Sequence, residues 1–301
     1  MANNLGTITP ILVAQEALPI LTDNFPFIGS FCTDFSSQNA LFNQTIYTRL
    51  PQLQPVASYD LNNGYVPATG TLTDVPVTIN NHRHASVAFN DQELSSTNLN
   101  LVQQFASSLA FQVGNDMMSG IVSLFTTGNY SNSVSIPTGS LITRANGILG
   151  AKKTLDTAKV PGNDRVFINS PQTEYELLQD ESLVKLTWGA AGVGDDGLPE
   201  VHGFDFGTYS SLGTFYTPGN LIAVAAQRAA VVVAARAPEL PSEALDVPVP
   251  GKITNVVDPR TGFTIQVREF YDIGKGKLQV TYVWMYGCAV GSSANLVRIT
   301  R

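Results

Sequence analysis

Between residues 71 and 89 the apolar side chains keep to one parity. Val75, Val77, Ile79, Val87 and Phe89 sit on one face, and Thr78, Asn80, His82, His84 and Ser86 on the other. A period of two predicts a strand with one apolar and one polar face. A second extended segment, residues 43–60, precedes it. Between them Asn63-Gly64 is a strong turn signal, and Pro67 and Gly70 keep the tip irregular. At about 3.3 Å per residue the returning arm would reach roughly 60 Å, against a radius of gyration of about 19 Å for a compact chain of this length. Either the segment bends or the hairpin projects from the body. A two-stranded hairpin alone is marginal in water, so a projecting one needs a neighbour against its apolar face.

At residue 90 the period changes. Asn90 is placed to cap a helix and Glu93 to complete a capping box. Leu94, Leu101, Val102, Phe105, Leu109, Val113, Met117, Ile121 and Phe125 then recur at helical spacing. They predict a helix over residues 91–126, about 54 Å long if continuous. The plain reading of this stripe is core packing. Gly114 and Gly120 mark close packing or a break, and Gly128 marks the end. Upstream, Thr9-Pro10 opens an earlier helix, with Ile11, Leu12, Ala14, Leu18 and Leu21 on one stripe and a kink or stop at Pro19. The aromatic "NFPFIGSFCTDFSSQNALF" after it reads as an arm lying against another surface rather than as a core element.

The middle of the chain mixes both periods. "SLITRANGILGAKK" fits a helix. "DRVFINSPQTEYELLQD" reads as a strand, a Ser170 cap, Pro171 at the first helical position, then a helix. "VHGFDFGTYSSL" reads as a strand, "NLIAVAAQRAAVVVAAR" fits helix or strand, and "APELPSEALDVPVPG" is a proline-rich crossing. "GFTIQVREFYD", "IGKGK" and "KLQVTYVWMYG" form an antiparallel hairpin, and "NLVRIT" a last short strand.

Composition narrows the function classes. Of 301 residues 44% are apolar but only 14% are charged, well below the roughly 25% of an average soluble protein. The surface is therefore neutral and polar, or covered by other subunits. The net charge is −7 and no block of Lys or Arg occurs, which argues against sequence-specific nucleic-acid binding. No apolar run approaches the ~20 residues of a membrane span, and the N-terminal residues lack the pattern of a signal peptide. The two cysteines, Cys32 and Cys288, make no disulfide framework and read as free thiols in a chain made in a cytoplasm.

The candidate chemistry is thin. His82 and His84 share a strand face and could share a metal, but a zinc site needs three or four ligands. Residues 85–90 offer no carboxylate, Asp91 and Glu93 belong to the helix start, and His202 is the one other histidine. A surface or interface role for the pair is the better reading. Gly192-Val-Gly-Asp-Asp-Gly197 matches the dinucleotide glycine pattern, but no apolar helix follows and its two aspartates would repel phosphate. There is no G-x-S-x-G elbow, and Asp180-Glu181 reads as a solvated acidic pair rather than glycosidase carboxylates. No catalytic, metal or cofactor site is assigned, and the chain is expected not to be an enzyme.

The order of elements resembles the major capsid proteins of tailed bacteriophages, the fold first described for the phage Hong Kong ninety-seven. Within it, the chain is similar to the branch of the P twenty-two coat protein. "MANNLGTITPILVAQEALPIL" and "FCTDF" resemble that branch's N-terminal arm, and "NNGYVPATGTLTDVPVTINNHRHASVAFNDQEL" its extended loop entering the spine helix. "GNDRVFINSPQTEYELLQD" and "VHGFDFGTYSSL" resemble its axial domain, and "DPRTGFTIQVREFYDIGKGKLQVTYVWMYGCAVGSSANLVRIT" its peripheral-domain sheet.

The resemblance implies an α+β chain with five parts. These are an N-terminal arm (1–42), an extended β-hairpin loop (43–90), a peripheral domain with a long spine helix (91–140), an axial domain (141–250) and the peripheral domain's antiparallel sheet (251–301). It implies a shell subunit that forms hexamers and pentamers around packaged double-stranded DNA, in a virion assembled in the host cytoplasm. Its partners would be copies of itself, a separate scaffolding protein, a portal and decoration proteins, with no cofactor and no membrane. Asn62, Asn63, Gly64, Tyr65, His82 and His84 are the candidate inter-subunit contacts. Residues 41–90 contain no lysine, so the isopeptide crosslink that some relatives make from this loop is not expected. No charged helical prodomain precedes the arm, which is why the scaffold is expected to be a separate chain. The alternatives are a cellular encapsulin-type nanocompartment shell, and a small metal-dependent enzyme using His82 and His84.

Overall fold

The computed structural model describes residues 25–51, 56–66, 72–96, 101–183, 200–212, 221–239, 251–258 and 262–301. The early helix around Pro10, the glycine loop at 192–197 and most of the proline-rich crossing lie outside them.

The described chain begins in the core, with Phe25, Phe27, Ile28 and Phe31 buried. Strand β1 (Cys32–Ala40) follows, and Asn43, with φ 66°, turns the chain into β2 (Thr45–Pro51). β2 pairs antiparallel with β3 (Leu72–Thr78), as the turn signal between them predicts. At Ile79 the ladder stops. The Asn43 N–H donates to the Ile79 carbonyl at 2.8 Å, and the Ile79 N–H donates to the Gln44 carbonyl at 2.9 Å, which closes the hairpin's base. β4 (Asn81–Asn90) then leaves for the body of the protein. The long period-two segment is thus two strands, bent at residues 79 and 80. The parity survives the bend: Val75, Val77, Ile79 and Phe89 are buried, and His82, His84 and Ser86 are exposed.

The capping box opens helix α1 (Asp91–Ser96), with Asn90 N–H to Glu93 Oε2 at 3.0 Å and Glu93 N–H to Asn90 Oδ1 at 2.7 Å. Helix α2 (Leu101–Val122) carries the apolar stripe. It stops at Val122, short of the expected residue 126. There Ser123 Oγ donates to the Gly120 carbonyl at 2.6 Å and Asn129 Nδ2 to the Leu124 carbonyl at 2.9 Å, satisfying acceptors that a further turn would have used. At about 1.5 Å per residue α2 is near 33 Å long; residues 97–100, between it and α1, lie outside the described residues. Gly114 and Gly120 are close-packing sites, not breaks. A Cβ on Gly114 would lie 2.3 Å from the Phe25 ring, and one on Gly120 2.7 Å from Tyr286.

Next come β5 (Ser133–Ser135), a π-turn at Arg144–Ile148 continuing into α3 (Leu149–Thr157), β6 (Arg165–Asn169), α4 (Pro171–Leu178) and β7 (Asp205–Thr208). Ser170 caps α4 by accepting from the Thr173 N–H, with Pro171 at the first position, as expected. The ambiguous apolar run is two strands, β8 (Leu221–Gln227) and β9 (Val231–Pro238). β10 (Lys252–Val257), β11 (Thr264–Asp272), β12 (Lys277–Val290) and β13 (Leu296–Thr300) complete the chain.

Two sheets organise these elements. The first runs β1-β9-β12-β11-β10, with β4 also on β12. The second runs β5-β13-β8-β6-β7. β9, placed with the axial segment, lies in the first sheet, and β13, placed with the C-terminal sheet, pairs with β8 and β5 in the second. β1 and the aromatic residues before it are also not an arm on a surface: they belong to the first sheet and its core. A five-residue alternating strand fits either sheet, so pattern alone cannot assign it.

The layers follow from side-chain parity. On β12 the even positions Val280, Tyr282, Trp284 and Tyr286 pack against Val113, Met117 and Ile121 of α2 in the largest core. The second sheet lends Val166, Ile168, Val224 and Ala226 to the same core. Its opposite face, through Phe167, Ala223, Ala225, Val297 and Ile299, packs on Ala151 and Leu155 of α3 and Leu177 of α4. The first sheet's opposite face takes the hairpin: Leu50, Val75 and Val77 bury against Val232 and Ala234 of β9. The hairpin therefore covers its apolar face on its own sheet and needs no neighbour for that. Cys32 pairs with Val232 on the hairpin side and Cys288 with Val233 on the α2 side. Opposite faces keep the two thiols apart, and burial pushes the Cys288 thiol up to about 12.

Candidate subunit interface

The hairpin's base and its near half are packed. Its far end is not. At the tip Asp60 builds a turn from local groups: the Gly64 N–H donates to the Asp60 carbonyl at 2.7 Å, the Asn62 N–H to Asp60 Oδ1 at 2.9 Å, and Asn63 Nδ2 to Asp60 Oδ2 at 2.7 Å. The bonds from Asn62, first, and Asn63 hold the Asp60 carboxyl below its ordinary range. Gly64 takes φ 70°, which glycine adopts without strain. The Tyr59 and Tyr65 rings pack across the turn, tilted by 58° with centroids 5.0 Å apart. The result is a preformed knob.

Its surface is apolar. Val56 is 99% exposed, and Leu61 and Tyr65 are each 90% exposed, with Tyr59 and Val66 beside them. Leu41, Phe42 and Tyr47 extend the exposed apolar surface along the hairpin's base. Clustered apolar exposure of this kind marks a surface that associates. The knob carries one charged group, Asp60, among residues 56–66, in keeping with the depletion of charge at interface centres. The sequence placed Asn62, Asn63, Gly64 and Tyr65 at this tip. It missed Val56, Leu61 and Val66, because an apolar residue in a loop looks like core until the fold shows it exposed.

No family model matches the chain, and no curated protein matches it. Solved structures do. A capsid structure of the cyanophage P-SCSP1u superposes with a TM-score of 0.61 over 91% of this chain and 87% of that one, at 10% identity. The mature capsid of bacteriophage PhiM1 gives 0.56 over 91% and 86%, at 9% identity. The fold is that of the phage capsid proteins. A virus-like particle from Pyrococcus furiosus shares it, with a TM-score of 0.54 over 97% of this chain and all of that one, at 10% identity. The capsid fold is thus present at very low identity, which is why it is visible in element order and not in a sequence signature.

On the capsid fold the other candidates fall in different places. His82 and His84 lie on the exposed face of β4, paired across from Met285 and Val283 of β12. Phe42 at the hairpin base stands 6.4 Å from the His82 ring, so this pair adjoins the apolar base rather than the tip. His202 sits on a turn beside Lys152 and Arg144, with φ 56°, and does not join the other two. Among the described residues no group of three or more His, Cys, Asp or Glu side chains is placed to hold a metal. Asp180 accepts from the Arg144 and Ser182 N–H groups, a structural use of that carboxylate. No described helix is long and apolar enough to cross a membrane.

Partial burial, then Arg268, then His84 hold the His82 pKa below its ordinary value of 6.5. The sign of its effect follows. The unfolded chain takes the proton first, so stability is full above about pH 6.5 and falls as pH drops through the lower folded value. His82→Gln should therefore be more stable than the parent at pH 5 and indistinguishable at pH 8 in urea melts. Identical acid profiles would remove His82 from any acid response.

Proposed function

We propose that this chain is the shell subunit of an icosahedral bacteriophage capsid, assembling as hexamers and pentamers around packaged double-stranded DNA. Its role on this reading is structural, not catalytic. Two observations support it: the capsid fold over nine-tenths of the chain, and an apolar knob whose side chains are left exposed among the described residues. Alone, Val56, Leu61 and Tyr65 are costly to leave in water. In a closed shell each knob docks on a neighbouring subunit, and symmetry repeats that contact at every position. The low content of charged residues suits extensive subunit contact. A separate scaffolding protein, a portal and decoration proteins are the further partners of this reading, and the virion is its location. Asn62, Asn63, Gly64 and Tyr65 are proposed as contact residues at the tip, and His82 and His84 as contact residues near the hairpin base. The rival reading is an encapsulin-type cellular shell; a virus-like particle shares the fold, and the contents of purified particles separate the two.

The test is a double substitution at the knob. Leu61→Ser/Tyr65→Ser touches no buried side chain, so the folded subunit should melt like the parent. Shell yield should fall by about tenfold or more, since the loss is repeated at every copy. Normal shells from this variant would remove the tip from the interface.

A further inference from the structure

The chain contains the dipeptide Asn-Gly twice, at Asn63-Gly64 and at Asn146-Gly147. The structure treats the two in opposite ways. Asn146 sits in the capping box of the π-turn. Its Oδ1 accepts the Thr143 N–H at 2.7 Å, its Nδ2 donates to the Leu141 carbonyl at 3.0 Å, and its own N–H donates to Thr143 Oγ1. Gly147 is buried, donates its N–H to the Thr143 carbonyl at 2.9 Å, and packs against Ile142. Both ends of that amide are tied, and the backbone is helical.

Asn63 is different. It is exposed, and around Gly64 there is open space where a Cβ would sit. Its amide is tied at one end only among the described contacts, through Nδ2 to Asp60 Oδ2 at 2.7 Å. The Gly64 N–H, bonded to the Asp60 carbonyl at 2.7 Å, is the neighbouring nucleophile. We propose that Asn63 is a self-modification site, converting to aspartate and isoaspartate through a cyclic imide, and that Asp60 holds the rate down.

The chemistry needs only water. The Gly64 nitrogen bonds to Asn63 Cγ, the Cγ–Nδ2 bond breaks, and Nδ2 leaves as ammonia carrying the proton that the Gly64 nitrogen gives up. Water then adds to one of the two imide carbonyls. Opening at Cγ yields aspartate, and opening at the main-chain carbonyl yields isoaspartate. Glycine in the second position leaves the attack sterically free. Asp60 opposes it twice: its carboxylate disfavours the negative charge that develops as the Gly64 nitrogen loses its proton, and its bond to Nδ2 fixes the amide. The product adds a second negative charge beside Asp60. In the isoaspartate form it also lengthens the main chain inside the Asp60–Gly64 turn.

The measurement is peptide mapping by mass spectrometry of the intact protein aged at mildly alkaline pH, folded and in urea. In the folded protein Asn63 should convert on the order of tenfold faster than Asn146, because Asn146 must first open its turn. In urea the two should convert at similar rates. Asp60→Ala should raise the folded rate at Asn63 several-fold while leaving Asn146 unchanged. The assignment fails if Asn63 stays intact in the folded protein while both sites convert in urea. The restraint by Asp60 fails if Asp60→Ala leaves the rate unchanged or lowers it.

Discussion

Replacing Glu176 with alanine should lower the unfolding free energy by about 3–5 kcal/mol, the usual consequence of removing one partner from a buried ion pair. The Glu176 side chain is 3% exposed. It accepts both terminal nitrogens of Arg301, Nη1 to Oε1 at 2.9 Å and Nη2 to Oε2. It also accepts the Ile142 N–H at 3.1 Å and Gln172 Nε2 at 3.1 Å. Alanine leaves the buried Ile142 N–H without its acceptor and the Arg301 guanidinium without its partner. The carboxyl also has a pH signature. Chiefly through Arg301, and against the opposing effect of burial, its pKa falls from 4.5 to about 2. A folded pKa below the unfolded one means the stabilisation is present above pH 4.5 and is lost as pH falls toward 2. Denaturant melts from pH 7 to pH 3 should show this loss in the parent and not in Glu176→Ala. A variant with the parent's midpoint at pH 7 would mean that the clasp is ornamental.

Gly287→Val should detach the hairpin from its sheet. Gly287 is an odd position of β12, on the face that the hairpin crosses. A Cβ there would sit 2.2 Å from the Thr78 carbonyl oxygen and 2.8 Å from its carbon. These are main-chain atoms, and Ile79, bonded to Gln44, holds them in place. Overpacking of this kind costs about 1–3 kcal/mol even where side chains can yield. Here the backbone must move, and Leu50, Val75 and Val77 lose their cover from Val232 and Ala234. Limited proteolysis should cut the hairpin in the variant while the two sheets stay resistant. Parent-like resistance and stability would show that the close approach is unimportant.

These two positions also mark what the sequence could and could not say. The alternation through Val75, Val77 and Ile79 announced an apolar face, and the structure buries it. A period of two does not say what covers such a face, so the projecting hairpin with a neighbour beneath it was a fair expectation. Gly287 carries the missing information, since it leaves room for the hairpin's main chain, but a glycine in a strand has many causes. The stripe through Phe125 overstated the helix, because Phe125 stays in the core after the chain has left the helix at Val122. Capping was legible at two helices: Asn90 with Glu93, and Ser170 with Pro171, form as read. At the tip, Asn63-Gly64 was legible as a turn. Its apolar surroundings were not, because exposure is a property of the whole fold.

The central claim is that this capsid-fold chain builds closed shells. Electron microscopy of the purified protein, with sizing in solution, tests it most directly. The account predicts hexameric and pentameric capsomers or closed icosahedral particles, with double-stranded DNA inside those recovered from infection. A monomer or small oligomer that forms no capsomer or shell at any concentration would contradict it.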